Sequence, residues 1–182
     1  ERNTNLKLGV SAVIGVAGPY DIGDHCAFER SRGLHEISPM GIAAGGVECA
    51  NGPAGTPEGG STSFRSNSPT WLAAQLTPSQ AFRLPPILLM HGRCDTTVPS
   101  SSSVKLARAL KAAGSRDVAL HLMESGGHFD LPLGLSLPAR PSSVLVPAAQ
   151  ELVDILMGVV AGEAERLGKT AAGRFRNSDD GR

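Results

Sequence analysis

The amino-acid sequence predicts an α/β protein, a mostly parallel sheet flanked by helices. Three observations predict it. Ile87 to Met90 and Val118 to Met123 are short apolar runs, without the polar alternation of a strand that has one wet face. Between them, Leu106, Ala109, Leu110 and Ala113 fall at i, i+3, i+4 and i+7, one apolar face of a helix. Each run is followed by a loop with a reactive side chain, Asp95 after the first and His128 after the second. Open sheets of this class hold ligands and catalytic groups just outside the carboxyl ends of their strands.

Taken in order, Leu8 to Ala17 is apolar and β-branched, and Gly18-Pro19 stops it, so it reads as a buried strand. Tyr20 and Asp21 then fall on a loop at the strand's carboxyl end. That side of the sheet makes both candidates for binding a substrate; the structural alternative is that Asp21 caps a short helix beginning near Ile22. Asp24 to Leu34 carries His25, Glu29, Arg30 and Arg32 and reads as one or two helical turns with a solvated face. Ala43 to Ser68 has no apolar period and is rich in Gly and Ser, so a flexible surface insertion is expected at about 43–68. Ser68-Pro69 then opens a short helix, with Ser68 as its cap and Trp71 docking it to the core or lining a substrate pocket.

Beyond the Asp95 loop, Ser100 to Ser103 start the amphipathic helix, which Gly114 ends. Leu131 to Pro147 is proline-rich and irregular. Ala149, Leu152, Val153, Leu156 and Val160 form the buried face of a last helix, and 162–182 reads as a disordered polar tail. The domain therefore spans 1–161.

The chain has 182 residues and a formal net charge of zero, which argues against nucleic acid or an anionic membrane surface as its main partner. Hydrophobic residues make up 41% and aromatic ones 4%, so the core must be aliphatic. No run reaches the ~20 apolar residues of a membrane span. Cys26, Cys49 and Cys94 are odd in number and far apart, without a Cys-x-x-Cys pair; isolated thiols are the expectation.

The motif His91-Gly92-x-x-Asp95-x-x-Val98-Pro99, the serine-rich helix start, and Gly127-His128 resemble the carboxyl-terminal half of an α/β-hydrolase esterase. Gly18-Pro19-Tyr20-Asp21, Glu29-x-x-Arg32-Gly33-Leu34 and Ser38-Pro39-Met40 narrow the resemblance to isoprenylcysteine methylesterase-like carboxylesterases, over residues 8–42 and 69–160. The resemblance implies the carboxyl-terminal part of an α/β-hydrolase fold, incomplete at its amino terminus. It also implies hydrolysis of a methyl ester of a prenylated cysteine with no metal or organic cofactor, and an endomembrane location. In related esterases the segment after Tyr20 belongs to a cap over the active site, which makes Arg32 a substrate-binding candidate. A lipase, arylesterase or arylformamidase would carry the same two loops.

A triad needs a nucleophile, a base that takes its proton, and an acid that fixes the base's tautomer. His128, after Gly126-Gly127, is the expected base and Asp95 the expected acid, in the chain order Ser…Asp…His. Asp130 and Glu124 are rivals for the acid, and His91 is expected to shape the turn. No Gly-x-Ser-x-Gly occurs in the 182 residues, nor a His-Gly-Gly-Gly. Ser11, in Gly9-Val10-Ser11-Ala12-Val13, lacks the second glycine. The nucleophile and oxyanion donors are therefore expected upstream of residue 1. The alternative is a catalytically dead fragment that acts as a binding module.

Overall fold

A computed structural model of the chain describes residues 10–40, 64, 66–130, 154, 155, 157, 158, 161 and 162. Val13–His128 forms one compact unit; Glu1–Ala12 together with Phe129–Arg182 forms a second. The expected buried face of the last helix and the tail lie outside the described residues, as do most of the expected insertion and Cys49.

The first unit is built on three parallel strands, β1 (Val13–Val16), β2 (Ile87–Gly92) and β3 (Val118–Met123), in the order β1-β2-β3. Val13 pairs with Ile87 and Ile87 with Val118, so the three strands start level. β2 is central, and Leu89, Met90 and His91 on it are almost completely buried. This accounts for its unbroken apolar run. β1 departs from expectation: it is four residues long, and Val13 (42% exposed) and Ile14 (36%) are not covered. Among the described residues no strand pairs with its other edge. Ser11 precedes β1 in irregular chain, with no strand-to-helix turn at that serine.

The helices follow their local chemistry. In α1 (Ile22–Ser31), Asp21 is the cap, its Oδ1 accepting from the Asp24 N–H at 3.0 Å. The helix runs longer than the expected one or two turns and stops at Gly33, whose φ of +69° is left-handed. Its charged residues are not all solvated, because His25 is buried against Glu29 at 3.2 Å. In α2 (Pro69–Ala74), Ser68 does not cap its own helix. Its hydroxyl donates to the Phe64 carbonyl and accepts from the Ile22 N–H, which joins α1 to the chain entering α2. Phe64 and Ser68, at the end of the stretch expected to lie on the surface, are buried. A helix not foreseen, α3 (Pro78–Phe82), has a full capping box between Thr77 and Gln80.

In α4 (Ser101–Ala113), Gly114 is the left-handed end, with φ +99°. The buried stripe is Ser103, Leu106, Ala107 and Leu110, turned slightly from the expected one toward Ser103. Leu106, Ala107 and Leu110 meet Ile87, Leu89, Val118 and Ala73 in an aliphatic core. Each fully buried leucine there contributes about 2 kcal/mol. Trp71 stays 38% exposed, and Ala73 makes the contact that Trp71 was expected to make. A second cluster joins Ile22, Cys26 and Phe64. Cys26 is disulfide-bonded, which corrects the expectation of isolated thiols for that residue; Cys94 is free.

Tyr20 is packed rather than presented on an open loop. Its ring lies on the core, where a Cβ at Gly15 would fall 2.3 Å from the hydroxyl oxygen and one at Gly18 2.8 Å from the ring. Its N–H donates to Ser102 Oγ and its carbonyl accepts from Thr70. Burial pushes the Tyr20 phenol above its ordinary value of 10.0, partly offset by a hydrogen bond with the Gly18 backbone. The unfolded chain therefore releases this proton first as pH rises. The stability involved is complete below pH 10.0 and is lost as pH climbs toward the folded-state value. Urea midpoints taken between pH 9 and 11 should fall more steeply for the native chain than for Tyr20→Phe. Equal slopes would mean that the phenol is solvated.

Candidate active site

The site is assembled where β2 and β3 end. After Gly92 the chain turns through Arg93 and Cys94 to Asp95, whose side chain is fully buried. Asp95 Oδ1 accepts the N–H groups of Thr97 and Val98, both at 2.8 Å, and so folds the loop around its own carboxylate. Oδ2 faces the other way and lies 2.9 Å from His128 Nδ1.

The loop after β3 is brought alongside by backbone contacts. The Arg93 N–H donates to the Met123 carbonyl at 2.8 Å, and the Cys94 thiol donates to the Glu124 carbonyl at 3.4 Å. Gly92 and Gly126 touch directly: a Cβ at Gly92 would lie 1.8 Å from the Gly126 carbonyl oxygen. Only a residue without a side chain allows the loops to close this far. The closure places His128 beside the acid with its side chain 25% exposed.

The chemistry of the pair follows from donor and acceptor rules. An ionised carboxylate only accepts, so His128 Nδ1 carries the hydrogen in this bond. In the neutral imidazole Nε2 is then the proton-accepting nitrogen. When Nε2 takes a proton, the imidazolium is stabilised by the carboxylate at Nδ1. Glu124, a rival for the acid, instead pairs with Arg93 at 2.8 Å and is 83% exposed. Asp130 belongs to the second unit.

The prolyl oligopeptidase family model matches residues 55–136, a stretch that contains β2, β3, Asp95 and His128. The probable isoprenylcysteine alpha-carbonyl methylesterase of Oryza sativa subsp. japonica is 30% identical over 122 residues, 67% of this chain. The chain belongs to the α/β-hydrolase superfamily. It spans about a quarter of that rice protein, 26% of its length. Among solved structures, the uncomplexed Pyrococcus horikoshii acylaminoacyl peptidase aligns with a TM-score of 0.46 at 19% identity, covering 65% of this chain and 16% of that one. An acylaminoacyl peptidase in complex with Z-Gly-Gly-Phe-chloromethyl ketone gives the same values.

Of the residues singled out in the sequence, Asp95 and His128 are brought together. Asp21 is occupied as the cap of α1, Tyr20 is packed on the core, and Trp71 lies partly exposed on α2. The Arg32 guanidinium lies 5.3 Å over the Phe28 ring and donates to the Thr96 carbonyl, inside the acid's own loop. It therefore ties the end of α1 to that loop.

Two further residues touch the acid's surroundings: His91, expected only to shape the turn, and Ser103, whose part was not foreseen. His91 is fully buried, with Nδ1 2.7 Å from Ser103 Oγ, and Nε2 2.9 Å from the Val98 carbonyl and 3.2 Å from Asp95 Oδ2. The signal for Ser103 lay in the helix period, three residues before Leu106 on the same face. Nothing local in the sequence pointed His91 at the carboxylate. Among the described residues, no three His, Cys, Asp or Glu side chains group as metal ligands, and no helix is long and apolar enough to cross a membrane.

Proposed function

We propose that this chain carries the acid and the base of a serine-type carboxylic ester hydrolase. The supporting observation is the 2.9 Å contact between Asp95 Oδ2 and His128 Nδ1, at the carboxyl ends of neighbouring parallel strands. In this reading a serine hydroxyl attacks the ester carbonyl as its proton passes to His128 Nε2. Asp95 stabilises the imidazolium. The same proton then goes to the departing alkoxide, leaving an acyl-serine that water cleaves by the reverse transfers. The 182 residues hold no Gly-x-Ser-x-Gly, so the attacking serine comes from polypeptide outside them.

The finer reading is a methyl ester of a prenylated cysteine, releasing methanol. It rests on the rice relative and on the Gly18-Pro19-Tyr20-Asp21 and Ser38-Pro39-Met40 pieces. A second reading, cleavage of a peptide bond, is favoured by the match to the prolyl oligopeptidase family model. Paired assays of prenylcysteine methyl esters and peptide anilides separate the two.

Purified 1–182 should not hydrolyse p-nitrophenyl acetate above the blank. A polypeptide extended upstream through a Gly-x-Ser-x-Gly should hydrolyse it and react with a fluorophosphonate. In that longer polypeptide His128→Ala should lower kcat by roughly a millionfold, the scale for loss of a triad histidine. Hydrolysis by 1–182 itself that disappears in His128→Ala would instead put the nucleophile inside this chain. A gene with no such motif upstream would leave the binding-module reading standing.

A further inference from the structure

His91 is the most completely enclosed polar side chain near the acid, at 0% exposed, and so is Ser103, which faces it from α4. The Val98 carbonyl has no hydrogen to give, so His91 Nε2 carries one in any protonation state. In the neutral ring Nδ1 is then a lone pair, and the Ser103 hydroxyl donates to it at 2.7 Å. This tautomer satisfies both ring nitrogens and the hydroxyl without exposing any of them. The Nε2–H bonded to the Val98 carbonyl also stands 3.2 Å from Asp95 Oδ2, the oxygen that receives His128. The Val98 N–H meanwhile bonds to Oδ1. Val98 is thus held at both ends, by the acid on one side and by His91 on the other.

We propose that His91, set in one tautomer by the Val98 carbonyl and steadied at its other nitrogen by Ser103, is a positioning residue for Asp95: it fixes the carboxylate so that Oδ2 meets His128 in a single orientation. This rests on the reading of Asp95 and His128 as acid and base, and it adds a second, buried histidine that never touches substrate. A turn-shaping role alone would stabilise the loop without altering the bond between Asp95 and His128.

The test is ring-¹⁵N histidine NMR on 1–182, following the exchangeable Nδ1 proton that His128 shares with Asp95, assigned by its loss in His128→Gln. His91→Phe, which fills the space without a donor, should broaden or abolish that proton signal. His91→Gln, which keeps an N–H near Nε2, should retain it. Ser103→Ala, a substitution suited to a helix, should shift it by a smaller amount. A folded His91→Phe with the His128 signal unmoved overturns the proposal. Should His91→Phe fail to fold, folded Ser103→Ala decides: a shifted signal upholds the proposal and an unmoved one overturns it. In the extended, serine-bearing polypeptide, His91→Phe should lower kcat roughly 100-fold with KM unchanged, the scale of ångström-level misplacement. If the NMR changes appear while the extended polypeptide shows no hydrolysis at all, the positioning stands and only the hydrolase reading falls.

Discussion

Asp95→Asn should cost about 2–4 kcal/mol of folding stability in 1–182 and, in the serine-bearing polypeptide, about four orders of magnitude in kcat. Both effects come from the count of donors around one carboxylate. Oδ1 receives two backbone N–H groups, and Oδ2 receives the His128 N–H, with the His91 N–H beside it. An asparagine has one oxygen and one NH2, so one of these two sides must face N–H to N–H. If the backbone side loses, two amides are left unsatisfied, each costing about 1–3 kcal/mol. If the histidine side loses, His128 can bond only by turning Nδ1 into an acceptor, which puts the hydrogen on Nε2 and removes the base. In the well-studied serine protease triad that tautomer error costs roughly 10⁴ in kcat. Urea unfolding of the chain and steady-state kinetics of the longer polypeptide measure the two effects. An Asn variant as stable as the native chain, with the His128 ring proton intact, would mean that the carboxylate is not held as described.

Gly92→Ala should do comparable damage by a steric route. The added Cβ would lie 1.8 Å from the Gly126 carbonyl oxygen and 2.8 Å from its Cα. These are backbone atoms at the entry to the His128 loop and cannot rotate away, so the loops must part. Overpacking of this kind costs about 3 kcal/mol, and a separation of one ångström is enough to break the bond between Asp95 and His128. The matched control is Gly33→Ala. There a Cβ meets nothing within 4 Å, and only the left-handed φ of +69° opposes it, at about 1–2 kcal/mol. Gly33→Ala should lower the urea midpoint modestly and keep the His128 ring proton; Gly92→Ala should lower it more and lose the proton. Identical behaviour of the two variants would show that the contact between Gly92 and Gly126 does not set the spacing of the loops.

Much of the site was legible because its parts are local. The run Ile87 to Met90 is apolar because β2 is central and covered on both faces, and Val118 to Met123 is β3 to the residue. Gly114 ends α4 through its left-handed φ, as a glycine in that place should. Asp21 also took the role its residue type favours, the helix cap. Other features were hidden because they depend on distant partners. Cys26 looks isolated along the chain yet is disulfide-bonded. Arg32 reads as a surface charge, and its partner, the Thr96 carbonyl, lies 64 residues away. The capping box at Thr77 and Gln80 was local and readable, and α3 was missed for want of an apolar period in so short a helix.

The sequence by itself determined the fold class, the order of its strands, and which two side chains follow the ends of β2 and β3. Strand periodicity, caps and turn glycines are properties of neighbouring residues, and the chain carries them wherever it goes. Only the tertiary structure decided that Asp95 and His128 touch, and that His91 and Ser103 stand behind the acid. Those contacts require two loops to meet glycine to glycine and a helix to turn a serine inward. Such close approaches across 12 to 33 residues of chain are set by packing, which no local pattern encodes.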